Sequence, residues 1–355
     1  TIGVRIQDNG GSSNGGVDIS GEQTFTITIT NVDDPPNAVN DLHVPIGENA
    51  PATAIDVLAN DTYLPDPVET LGITAVTQGA HGTVVITGSN GVGGTGLTYR
   101  PAAGYYGSDQ FTYTIQDSGG VATDQGTVQV DIAKDVTAPV FTSMGQSLRQ
   151  NVSMVTALPI KIAWVANDGT GVGIKSYLFQ RSIDGGSYTT ITLSTLLTTS
   201  YSSSVTAGHT YRYRVRATDK NGNVSAFKYT VAFKGTIYQD TSSLAVYSGT
   251  WGTATSSTSY IGGTTHYAGT AGKSVQITTT MRDVAFVGPI SATRGTASIY
   301  VDNVLIATTL NETSATTFYK RVIWATHFAS VGTHTIRFVV TGPARIDLDC
   351  FLILR

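Results

Sequence analysis

The chain carries a single cysteine, Cys350, in 355 residues. No intrachain disulfide can form, and no thiolate zinc centre can be assembled. Charged residues make up only 13%, and no run approaches the ~18 consecutive apolar residues of a membrane span. Helical periodicity is also missing, because no window repeats its apolar residues every 3.6 positions. Absent too are the Gly-x-Ser-x-Gly elbow, the His-Glu-x-x-His pair and a phosphate-cradling loop, which removes the usual sequence grounds for catalysis. The chain starts at Thr1 with neither an initiator Met nor a signal-peptide pattern, so a processed product or a piece of a longer protein is expected.

Glycine is plentiful, with 39 residues, and two-residue alternation bounded by Gly, Asn, Asp and Pro recurs throughout. Both point to an all-β chain of several domains. Residues 287–305 illustrate the pattern: Gly288-Pro289 and Arg294-Gly295 mark turns, after which Ala297, Ile299 and Val301 share one face and Ser298, Tyr300 and Asp302 the other. Charge is unevenly spread. Lys and Arg stand against Asp and Glu as 3 to 16 in residues 1–136, 10 to 3 in 137–239, and 8 to 6 in 240–355. An acidic first segment suits bound divalent cations or strong solvation.

Residues 1–36 hold two strands joined by a Gly-, Ser- and Asn-rich loop, too few to bury a core. Ile6-Gln7-Asp8-Asn9-Gly10-Gly11 is echoed by Ile115-Gln116-Asp117-Ser118-Gly119-Gly120, so residues 1–36 read as the last hairpin of a preceding repeat. In residues 37–136, the segments Asp56-Val-Leu-Ala-Asn-Asp61, Val76-Thr-Gln-Gly-Ala-His-Gly-Thr-Val84, Leu97-Thr-Tyr-Arg-Pro101 and residues 104–115 resemble bacterial cadherin-like, Ig-like tandem repeats of surface proteins. That resemblance implies a seven-strand sandwich used as a stalk unit, with Phe111, Tyr113 and Ile115 facing its core. Residues 137–236 resemble a fibronectin type III domain through Thr137-Ala-Pro139, Trp164, residues 177–181 and Tyr211-Arg-Tyr-Arg-Val-Arg-Ala217, with Tyr211 at the position of that fold's tyrosine corner. Residues 237–355 resemble a galactose-binding-like jelly roll, on Tyr247-Ser-Gly-Thr-Trp251, residues 284–289, 299–302, 332–337 and 346–351. The expected fold class is therefore all-β, tandem sandwiches followed by a β jelly roll.

Three candidate sites follow. Calcium takes hard oxygen ligands, and Asp33, Asp34, Asp61, Asp66, Glu69 and Asp117 supply them in the acidic first segment. Asn31-Val-Asp-Asp-Pro resembles a cadherin linker motif, which implies carboxylates at a domain junction. A glycan presents C–H faces to rings and hydroxyls to polar groups, and the last module offers Trp251, Tyr260, Tyr267, Arg294, Tyr300 and Asp302. The stripe of Arg212, Arg214 and Arg216 could grip an anionic polysaccharide or an acidic domain, or be a solvated strand face. It lacks the interleaved exposed aromatics of an RNA- or DNA-binding motif, so nucleic acid is not an expected partner. Asp347 and Asp349 are two residues apart on a terminal strand, which the jelly-roll resemblance marks as structural. The expectation is a non-catalytic, extracellular or cell-surface bacterial protein that presents a glycan- or ligand-binding module. Its alternatives are a fibre or sheath subunit that self-associates through residues 1–36, or an accessory tail of a polysaccharide-degrading enzyme.

Overall fold

The structure is a computed structural model and describes residues 1–355 apart from Asn31, Pro67, Val68, Val121 and the side chain of Ala307. Among the described residues no α-helix forms, and no helix is long and apolar enough to cross a membrane. The fold is all-β, with tandem sandwiches and a jelly roll. The chain divides into two compact units, Thr1–Lys134 and Asp135–Arg355.

In the first unit, a four-stranded sheet runs in the order Asp41–Gly47, Thr123–Ala133, Gly107–Asp117, Leu71–Val76, its first pair parallel and the others antiparallel. A three-stranded sheet of Thr53–Ile55, Gly96–Pro101 and Gly82–Thr87 covers it. Seven strands in two sheets match the expected sandwich. Alternation decides what lies between them: Phe111, Tyr113, Ile115, Val128, Val130 and Ile132 are buried with Leu97, Tyr99 and Val84, while Thr112 and Thr114 lie between them on the other face. Before this sandwich, Ile2–Val4 pairs antiparallel with Gln23–Phe25. The apolar residues around that pair, Ile2, Val4, Ile6, Phe25, Ile27 and Ile29, are all exposed.

The second unit opens with a three-stranded sheet, Val140–Leu148, Leu158–Asn167 and Ser200–Val205, packed on Thr189–Ile191, Ile174–Ile183 and Thr210–Asp219. Tyr211, Tyr213, Val215 and Ala217 are buried. Trp164, Phe179, Tyr213 and Phe233 form a column with successive ring centroids 4.9, 5.5 and 6.1 Å apart. The Tyr211 hydroxyl accepts the Thr206 backbone N–H at 3.0 Å.

The expected boundary at 236/237 falls inside a strand. Phe233–Gln239 pairs at its start with Thr210–Tyr211, and from Gly235 to Gln239 with Cys350–Leu354. Nothing in Phe-Lys-Gly-Thr-Ile-Tyr-Gln interrupts extended backbone, so the sheet continues across it into Ser274–Ile290, Phe318–Val340, Thr296–Val301 and Val304–Asn311. The core is shared too: Leu158, Ile160 and Trp164 belong to one cluster with Ala285, Val287, Val322, Leu352 and Leu354. Val152–Ser153 adds a short strand to Phe318–Val340. A third sheet, Gly252–Thr255, Thr264–Ala268 and Ile346–Leu348, packs over the second cluster, centred on Phe286, Phe338 and Phe351.

Candidate functional site

The third sheet sets Gly252, Tyr267 and Asp347 in one row, because Tyr267 pairs with Gly252 on one side and Asp347 on the other. Paired residues of neighbouring strands face the same way. A Cβ at Gly252 would lie 2.6 Å from the Tyr267 ring, so glycine lets that ring lie across the strand. Arg345 stacks over the ring, its guanidinium carbon 3.7 Å from the centroid. The same guanidinium clamps Asp347 with two contacts, Nε donating to Oδ2 at 2.9 Å and Nη2 meeting Oδ1. Arg294 Nε lies 2.6 Å from Asp347 Oδ2, in ion-pair contact without hydrogen-bond alignment.

Beneath this triad lies Glu312, fully buried. Its Oε2 accepts the Asp347 backbone N–H at 2.9 Å, and its Oε1 has no partner. Burial, and then the Asp347 charge, push the Glu312 carboxyl well above its ordinary value. Gly288 makes room for this packing, since a Cβ there would collide with the Asp347 carbonyl oxygen and come within 3.1 Å of Glu312 Oε1. Tyr260 is buried beside the arginines, and its ring meets Tyr319 edge-on at 6.2 Å. Tyr319 is 45% exposed and the Arg345 side chain 30%, so this ring and this guanidinium present the cluster to solvent. An aromatic surface beside in-plane N–H donors fixed by a buried carboxylate is chemistry that suits hydroxylated or anionic ligands.

Tyr260, Tyr267 and Arg294 therefore converge, and the other three residues expected at a glycan site do not join them. Trp251 packs against Tyr247 at 5.0 Å and donates its indole N–H to the Ser248 carbonyl. Tyr300 lies under Arg337, and Asp302 accepts from the Thr335 N–H and bonds His334 Nδ1 at 2.8 Å. Sequence reasoning missed Arg345, Glu312 and Tyr319. The alternation Arg345-x-Asp347 was the available signal, but only the register opposite Tyr267 gives it meaning. Asp349 stays apart from Asp347: its Oδ1 accepts the Ile261 N–H at 2.8 Å, and burial raises its carboxyl to about 8.

In the first unit Asp33, Asp66 and Glu69 bring carboxylate oxygens within 4.8 Å of one another. Burial, then the charges of Asp117, Asp33 and Asp66, raise the Glu69 carboxyl above its usual range, which places Asp117 beside the group. Asp117 is buried, its Oδ1 accepting the Gly120 N–H; among the described residues its Oδ2 finds no partner, and neither do the buried Asp33 Oδ1 and Glu69 Oε2. Asp34 is exposed and contributes its backbone N–H, to Asp66 Oδ2 at 2.7 Å. Asp61 is engaged elsewhere, by the Val39 N–H and the Tyr113 hydroxyl. Asn31, first residue of the linker motif, lies outside the described residues. A second group that sequence reasoning missed, Asp135, Asp168 and Asp219, is equally close. There Asp219 accepts from Asn223 through both oxygens, and Asp135 and Asp168 accept loop N–H groups, as turn-shaping residues do.

A family model described as Bacterial Ig domain matches residues 33–131, and the structure there is an Ig-like β-sandwich. No curated protein matches. Among solved structures, the catalytic domain of a GH87 alpha-1,3-glucanase in complex with tetrasaccharides is similar at 15% identity, over 34% of this chain and 28% of that one, with a TM-score of 0.26. The titin domains z1z2 in complex with telethonin give 13%, 55%, 93% and 0.28. The exo-beta-1,3-galactanase from Phanerochaete chrysosporium gives 10%, 80%, 95% and 0.26. The chain thus spans little more than a quarter of the first of these, and at such TM-scores none bears on function.

Proposed function

We propose that this chain is a non-catalytic part of an extracellular bacterial surface protein, in which β-sandwiches carry a jelly-roll module that binds a glycan. The Bacterial Ig domain match over residues 33–131 supports the surface setting. The observation that carries the binding reading is Arg345, stacked on Tyr267, clamped by Asp347 and still partly open to solvent. Its test is a glycan array probed with the intact chain, since a piece beginning at residue 237 would split the strand Phe233–Gln239. The expected result is binding to a restricted set of saccharides, lost in Arg345→Ala and Tyr319→Ala. An array without any signal at millimolar ligand would overturn it.

The first unit suits a calcium ion between Asp33, Asp66, Glu69 and Asp117, because hard oxygens converge there and three buried ones lack partners. A bound ion stabilises only the folded chain, so 1 mM calcium should raise the melting temperature and a chelator reverse it. Asp117→Asn should abolish the shift. An unchanged melting temperature in wild-type protein would sink the idea.

One observation favours a fibre subunit as a second reading. Ile2, Val4, Ile6, Phe25, Ile27 and Ile29 leave a two-stranded hairpin with an uncovered apolar face and open edges, which strand addition would satisfy. Light scattering at high concentration decides it, and a protein that remains monomeric excludes this route to assembly.

A further inference from the structure

A second arginine group lies far along the sequence from the jelly-roll site. Thr210–Asp219 turns Tyr211, Tyr213, Val215 and Ala217 inward and Arg212, Arg214 and Arg216 outward, across from Ser182, Gln180 and Leu178 of Ile174–Ile183. Three rings from other segments interleave with the guanidinium groups. Arg212 lies 4.6 Å from the Tyr229 centroid, Arg214 3.9 Å from Tyr188 and 4.0 Å from Phe227, and Arg216 5.0 Å from Phe227. The result is a ladder of alternating cations and rings on one sheet face.

Stacking occupies the faces of a guanidinium and leaves its N–H donors, which lie in the plane, at the edges. Of these donors Arg214 Nε is held by Gln180 Oε1 at 2.8 Å. Among the described residues no carboxylate forms an ion pair with Arg212, Arg214 or Arg216, in contrast to Arg294 and Arg345. The surrounding segment, residues 137–239, holds 10 Lys and Arg against 3 Asp and Glu. These three cations are thus held in place by rings and not neutralised by their own chain. Preorganised donors lose little side-chain entropy when they engage an anion. Alternate residues of a strand stand ~6.6 Å apart, so the charges form a short straight row.

We propose that this ladder binds an anionic polysaccharide, carboxylated or sulfated, at a surface separate from the jelly-roll site. At one end of the ladder a groove of about 310 Å³ is lined by Ser182, Gly185, Gly186, Tyr188, Thr210 and Arg212. That volume admits a sugar ring, with Thr210 beside its hydroxyls and Arg212 beside its acid group. The next acid groups along the polymer then meet Arg214 and Arg216. Single-stranded nucleic acid is disfavoured because bases need free ring faces for stacking, and here guanidinium groups cover them.

The test measures binding of the full chain to polygalacturonate, dextran sulfate and neutral dextran of matched length, by surface plasmon resonance at 50 and 300 mM salt. One or both polyanions should bind at least about tenfold tighter than dextran, with the preference shrinking at high salt. Comparing the two polyanions separates a carboxylate reader from a sulfate reader. Replacing Arg212, Arg214 and Arg216 together by Gln should remove the preference. Gln180→Glu is the second variant, because it sets a carboxylate against Arg214 without disturbing a ring; a melt confirms folding, and affinity should fall about three- to tenfold. The proposal is overturned if dextran binds as well as the polyanions, or if Gln180→Glu binds polyanion as the wild type does. Tighter binding of poly-glutamate or oligo-dT than of either polyanion also overturns it, by assigning the surface to acidic protein or to nucleic acid.

Discussion

Arg294 and Arg345 on the jelly roll and Arg212, Arg214 and Arg216 on the preceding sandwich are the same residue in two opposite settings. The first pair shares one buried carboxylate, Asp347, with the buried Glu312 carboxyl beneath it. The other three are stacked on rings and meet no carboxylate among the described residues. Where the chain supplies the counter-charge, the arginine becomes part of the fold. Where it supplies only rings, position is fixed and charge is left over for something outside the molecule.

The sharpest way to break this contrast is to remove each group's anchor. Asp347→Ala leaves two partly buried guanidinium groups uncompensated and should cost about 3–5 kcal/mol in urea unfolding. Gln180→Ala, beside Arg214, should stay within about 0.5 kcal/mol. Equal costs would erase the distinction. Asp349 extends the comparison to a buried carboxylate without arginine. Its folded value of about 8 lies above the unfolded value, so below about pH 4 it is protonated in both states and costs nothing. Between about pH 4 and 8 the unfolded chain ionises first, and the folded state loses stability as pH rises. Asp349→Asn should therefore gain progressively on the wild type between pH 4 and 8, by up to about 5 kcal/mol, in parallel denaturation series. A pH-independent difference would reject the raised value. Glu312→Gln keeps the shape of a side chain whose charged form burial disfavours, and should change stability at pH 7 by about 1 kcal/mol or less. A ring of the ladder gives a similarly small effect: Tyr229 is 38% exposed, and Tyr229→Ala should lose about 0.5–1 kcal/mol, the size of a solvent-facing cation–π contact.

Strand alternation made much of this fold legible. Phe111, Tyr113 and Ile115, and Tyr211 through Ala217, face inward as their two-residue period demands. The continuity at residues 233–239 was not legible, because resemblances end where families end, whereas hydrogen bonding follows backbone geometry. At the sites, residue types were easier to foresee than neighbours. Asp33, Asp66, Glu69 and Asp117 come together, but Asp61 is drawn off by the Tyr113 hydroxyl. Tyr267 and Arg294 share a site, yet the residue that joins them, Asp347, looked like part of a structural strand. The rings of the ladder were hidden for the same reason: Tyr188, Phe227 and Tyr229 lie 11 to 26 residues from the arginines they cover, and only the folded chain brings them there.

The strand Phe233–Gln239 has a consequence for valency. Its five-residue ladder with Cys350–Leu354 and the core shared across it join the two sandwiches without a linker, inside one compact unit. A saccharide too short to reach from one to the other would be held at a single contact. One long enough would engage the second contact as an intramolecular event, and its avidity would rise abruptly with chain length. A flexible linker at residues 233–239 would blur that threshold, whereas a strand shared by both sandwiches would keep it sharp if both proposed surfaces bind.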